Sequence, residues 1–165
     1  MRVYIPVTLA MLADLVADGA LRPVNGTAFA ITPALREAYA SGGDEELAEV
    51  ALRDAALASL RLLAGAGKDE LPTRRAVLVA DADDAQVRPD LDDAVVRLGA
   101  PVALTDVVAA YVDIADAEPA VTAAVAAIDA ADLGDEDAEL AVGDAQDHDL
   151  AWYATQELPF LLELL

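Results

Sequence analysis

Near the C-terminus the chain reads AVGDAQDHDLAWYATQELPF, and its only histidine, His148, stands there between Asp147 and Asp149. An imidazole beside carboxylates is suited to proton transfer or metal ligation. Consecutive side chains on a helix point about 100° apart, so the three converge only if Asp144 or a distant carboxylate completes the set. The local reading makes Asp147 an N-cap, with His148 and Asp149 in the first turn of a final helix over residues 150–165. The pattern fits the cap better.

A second candidate is VLVADADDAQ, where an apolar run opens directly onto Asp81, Asp83 and Asp84. Ligands bind at strand ends in α/β sheets, and clustered carboxylates there can hold Mg²⁺. The segment resembles the haloacid dehalogenase nucleophile motif, Asp-x-Asp-x-Thr, but Ala85 stands in the threonine position and no lysine follows it. A calcium loop fits at Asp81, Asp83 and Asp92 and fails at Ala85 and at Gln86, where glycine makes the turn. A solvated acidic loop accounts for the cluster more simply.

Other catalytic equipment is sparse. LLAGAGKDE departs from a phosphate loop at Leu62, where glycine belongs, and at Asp69, where Ser or Thr belongs. Ser41 and Ser59 are the only serines, and neither sits in a Gly-x-Ser-x-Gly elbow. Trp152, Tyr153 and Phe160, with Leu158 and the terminal leucines, form an apolar end. It reads as a helix that closes the core, or alternatively as an interface for a partner or a second copy.

These residues need a scaffold. A chain of 165 residues fits one globular domain, expected over 1–165, and lacks cysteine, which removes disulfides, thiolate metal sites and thiol nucleophiles. A reducing cytoplasm suits that composition. The opening MRVYIPVTLAMLAD has some features of an export signal, but Pro6 and the alternation of Val3, Ile5 and Val7 read better as a strand. No charge-free run approaches the roughly 18 residues of a bilayer span. Formal charge is −21, and residues 98–165 contain no Lys or Arg. Phosphate backbones and anionic lipid need cations to replace counterions, so neither nucleic acid nor membrane is an expected partner. A basic protein or another copy of the chain is.

Strands are expected at 2–8, 27–31, 75–80, 94–98 and 107–114. Helices are expected at 9–18, 32–39, 119–130 and 150–165, the last kinked or split by Pro159. The most secure helix spans 44–64, with Asp44, Glu45 and Glu46 on its positive end. Residues 132–139 read as an acidic loop and 140–142 as a short strand. The result is an α/β or α+β domain with a mixed sheet of about five strands and flanking helices.

MRVYIP, TAFAITPALREAYA, DAALASLRLLA, DLGDEDAELAVGDAQD and AWYATQELPF together resemble an uncharacterised actinobacterial family classed as a domain of unknown function. The resemblance implies a short cytoplasmic single-domain protein and transfers no activity, cofactor or catalytic residue. Three functional readings follow. The leading one is a non-enzymatic acidic protein acting by protein–protein interaction. The second is a metal-assisted hydrolase or phosphoryl-transfer enzyme using Asp81, Asp83 and Asp84, with His148 as acid or base. The third is a nucleic-acid mimic for a basic partner. No cofactor is expected, and a divalent cation is the one candidate.

Overall fold

The computed structural model describes residues 1–67 and 70–165, so Lys68 and Asp69 of the GAGKDE segment lie outside the described residues. The apolar alternation at the N-terminus builds strand β1 (Arg2–Val7), which lies inside the sheet. Val3, Ile5 and Val7 enter one core, while Tyr4, on the other face, packs against a second. Helix α1 (Leu9–Asp18) starts where the Thr8 hydroxyl accepts the Met11 N–H at 3.2 Å and ends at Gly19, whose φ of 80° suits a residue without Cβ.

Next come β2 (Ala20–Leu21), β3 (Thr27–Phe29), α2 (Pro33–Ala38) and the long α3 (Asp44–Gly65). Strand β4 (Ala76–Asp81) leads to β5 (Gln86–Val87), β6 (Val95–Arg97), β7 (Val102–Ala103) and β8 (Val107–Val112). Helices α4 (Glu118–Asp132) and α5 (Glu136–Gln146), strand β9 (Ala151–Ala154) and helix α6 (Leu158–Glu163) complete the chain. The main sheet has the order β5-β6-β3-β1-β4-β8-β9, and each of its pairings is antiparallel. Strands β2 and β7 pair separately.

The expected sheet with flanking helices is present, with seven strands among the described residues where about five were expected. One face packs on α1 and α6 through Leu12, Leu15, Leu158 and Leu161. The other packs on α2 and the first half of α3 through Leu35, Leu47, Ala51 and Ala55. The second half of α3 leaves the sheet to join α4 and α5 around Leu60, Val121, Ala124 and Ile128.

The C-terminal third corrects three expectations. Residues 132–139 are not a loop: Gly134, at φ 93°, turns the chain, and the Asp135 carboxylate accepts the Ala138 N–H at 2.9 Å to start α5. The acidic run thus lies on the positive end of a helix. Residues 140–142 belong to α5, not to a strand. The segment 150–165 is not one helix, because Ala151–Ala154 forms an edge strand on β8 and Pro159 sits in the first turn of the separate α6. Pairing along β8 outweighs the helical reading there, and Trp152 and Tyr153 suit a strand.

Candidate functional site

The revised C-terminus relocates the histidine. Asp147 is the C-cap of α5 and not an N-cap, since its main-chain N–H donates to Gly143 and Ala145 carbonyls. His148 and Asp149 form the connection into β9. They stand where they do because of a residue that sequence reasoning passed over. Arg75, just ahead of β4, is buried with only 1% of its side chain exposed, and its Nε and Nη2 donate to both carboxylate oxygens of fully buried Asp113 at 2.9 and 2.7 Å. Asp113 also accepts the Arg75 main-chain N–H at 2.8 Å. Nη1 reaches Gln146 Oε1 at 3.0 Å, and Nη2 reaches the His148 carbonyl at 2.9 Å.

One guanidinium therefore ties β4, the segment after β8, the end of α5 and the entry to β9. A buried ion pair survives only when its remaining hydrogen bonds are made, and here they are made to the main chain and an amide. Its signal was a charge at each end of apolar strand sequence, Arg75 before AVLVA and Asp113 after VVAAYV. Ser59 has a comparable task. Its hydroxyl donates to Val7 O at 2.7 Å and accepts from Ala76 N–H at 3.0 Å, joining α3 to β1 and β4.

Beside the Arg75 network lies a cavity of about 200 Å³ whose lining includes Glu49, Arg53, Gln146, His148 and Asp149. His148 and Asp149 thus do share a concave surface with Arg75. Directly after Arg53 in α3, Asp54 is half-buried, and its carboxyl is pushed up to about 6, chiefly by burial, then by the negative charge of Asp92, against the opposing pull of Arg53.

Asp81, Asp83 and Asp84 line a separate open depression of about 340 Å³ with Asp106. Two of the three have partners already. Asp81 accepts from Arg2 Nε at 3.1 Å, a hydrogen bond that holds its carboxyl below the usual range, and Asp84 accepts the Gly99 N–H at 2.8 Å. Among the described residues no group of three His, Cys, Asp or Glu side chains is placed to hold a metal ion.

The three aromatic candidates separate. Tyr153 faces the α1 and α6 core, whereas Trp152 is 57% exposed and Phe160 is 67% exposed. Leu158, expected among them, is fully buried. Helix α5 presents a second exposed surface, built from residues expected as an acidic loop over 132–139 and a short strand over 140–142. Glu136, Leu140, Asp144 and Asp147 recur at helical spacing and all are exposed, while Leu133, at the α4 to α5 turn, is 90% exposed. Among the described residues only Arg61 and Arg74 reach α4 acids, at Asp132 and Glu118, and no cation pairs with the α5 carboxylates.

The family model described as a family of unknown function, DUF6912, matches residues 1–162. The chain belongs to that family. The match takes in every element that builds this site, from Arg75 and Asp113 to α5 and β9. No curated protein and no solved structure matches the chain. No helix among the described residues is long and apolar enough to cross a membrane.

Proposed function

We propose that this protein is a non-enzymatic binding protein of an actinobacterial cytoplasm that recognises a cationic segment of another protein through its acidic C-terminal surface. The observation that carries the reading is the set of exposed side chains along α5, the connection after it and β9. Exposed carboxylates at Glu136, Asp137, Glu139, Asp144, Asp147 and Asp149 lie in a stretch without a single Lys or Arg, and the same stretch exposes Leu133, Leu140 and Trp152. Carboxylates steer a cationic partner and set its orientation, and exposed large apolar side chains supply the area that desolvates on contact. The absence of cysteine suits a reducing compartment.

The test is calorimetric titration with a synthetic Arg-Val repeat peptide at several salt concentrations. Saturable one-to-one binding is expected. Combined Glu136→Gln, Asp137→Asn, Asp144→Asn and Asp147→Asn should weaken it at least tenfold, whereas neutralising the four exposed acids Asp14, Asp18, Glu37 and Glu45 should not. Equal losses from the two sets would reduce the effect to net charge and overturn the proposal.

A second reading, metal-assisted hydrolysis or phosphoryl transfer at Asp81, Asp83 and Asp84, draws on the depression these residues share with Asp106. It requires Asp81 to exchange Arg2 for the cation. A melting-temperature gain in Mg²⁺, Mn²⁺, Ca²⁺ or Zn²⁺ beyond that in NaCl of equal ionic strength, abolished by Asp83→Asn, would move the site there.

A further inference from the structure

The sheet ends at β9, and the hydrogen-bond alternation fixes what that edge offers. Met1 and Ala82 exchange both main-chain hydrogen bonds at 2.9 Å, so alternate residues of β4 bond to β1 and the others, including Val77 and Val79, bond to β8. The Asp113 N–H donating to Arg75 O agrees with this phase. On β8, Ala109 and Tyr111 are then taken by β4, leaving Ala110 and Val112 for β9, where they stand opposite Tyr153 and Ala151. Trp152 and Ala154 consequently turn their main-chain groups outward. The Ala154 N–H confirms it, since it is met at 3.0 Å by the Glu157 carboxylate and not by β8. Among the described residues no further strand pairs with β9, so the N–H and C=O of Trp152 are left at the edge, on a residue that is 57% exposed.

We propose that this edge accepts an extended cationic peptide as an added strand, with Trp152 making both main-chain hydrogen bonds at its centre; the inference rests on the protein-recognition reading above and specifies its geometry. Charge selects the occupant. Asp147 and Asp149 precede the strand and Glu157 and Glu163 follow it, with no cation anywhere beyond Arg97. A second copy is a poor fit: two-fold antiparallel pairing centred on Trp152 brings Asp147 of each copy towards Glu157 of the other, and like charges opposed across strands repel. A partner alternating Arg or Lys with apolar residues meets the carboxylates with one set of side chains and the indole with the other.

The experiment compares the Arg-Val peptide with an otherwise identical depsipeptide whose central amides are esters, which keeps charge and side chains but removes the N–H donors and weakens the acceptors. Trp152, the only tryptophan, reports directly through its emission, and its amide is followed by hydrogen exchange. Expected are a blue shift, slowed exchange at the Trp152 N–H, and about tenfold weaker binding of the depsipeptide, the scale of losing two ordinary hydrogen bonds. Equal binding of both peptides with no protection at Trp152 overturns strand addition and leaves cationic recognition standing. Failure of both peptides to bind overturns both readings. Concentration-dependent self-association that protects Trp152 would assign the edge to a second copy and overturn the choice of occupant.

Discussion

Replacing Asp54 by asparagine should stabilise the protein at neutral pH and leave it nearly unchanged in acid. Asp54 is half-buried on α3, and its carboxyl is pushed up to about 6 by burial first, then by Asp92, with Arg53 opposing and Asp93 adding. In the unfolded chain the same group titrates near 3.9. The folded state therefore binds the proton more tightly, so this contribution to stability is fully present below about pH 4 and is lost as pH rises through about 6. A shift of about two units corresponds to roughly 3 kcal/mol, but a side chain this exposed is screened by water and salt, which brings the expected penalty to about 1–2 kcal/mol. Asparagine has nearly the same shape and no charge to desolvate. For a chain of this size each kcal/mol moves the melting temperature by about 2–4 °C. Thermal melts at pH 7.5 should show Asp54→Asn higher by about 2–8 °C, and melts at pH 3, away from the isoelectric point near 4.1, should show almost no difference. An equal gain at both pH values, or none at pH 7.5, would refute burial and like charge as the cause.

Arg75→Met should cost about 3–5 kcal/mol in urea denaturation, because it strands the buried Asp113 carboxylate and removes the donors to Gln146 and the His148 carbonyl. Arg2→Met, which breaks the exposed pair with Asp81, should cost less than about 1 kcal/mol, and equal costs would contradict the assignment. Asp135→Ala should lose about 1 kcal/mol and Asp135→Asn little, as expected of an N-cap, while Asp147→Ala at the far end of α5 should be near neutral. A larger loss at Asp147 than at Asp135 would restore the histidine segment as a helix start.

Much of the scaffold was legible locally. The alternation of Val3, Ile5 and Val7, the caps at Thr8 and Thr32 and the acidic start of α3 are interactions among residues a few positions apart, so their spacing in the chain is their spacing in the fold. So were the cation-free C-terminal part and the missing thiol chemistry, which are properties of composition. The tertiary structure decided where near-equal local preferences competed. AWYA became a strand because β8 offered an unpaired edge, and the acidic run after Gly134 became a helix because α4 offered apolar side chains to Val142 and Ala145. His148 was placed by Arg75 and Asp113, partners far from it in sequence. Trp152 was expected in the core and stands at the sheet edge, since which strand lies outermost depends on the pairing order of all seven, a long-range outcome that no window of sequence contains.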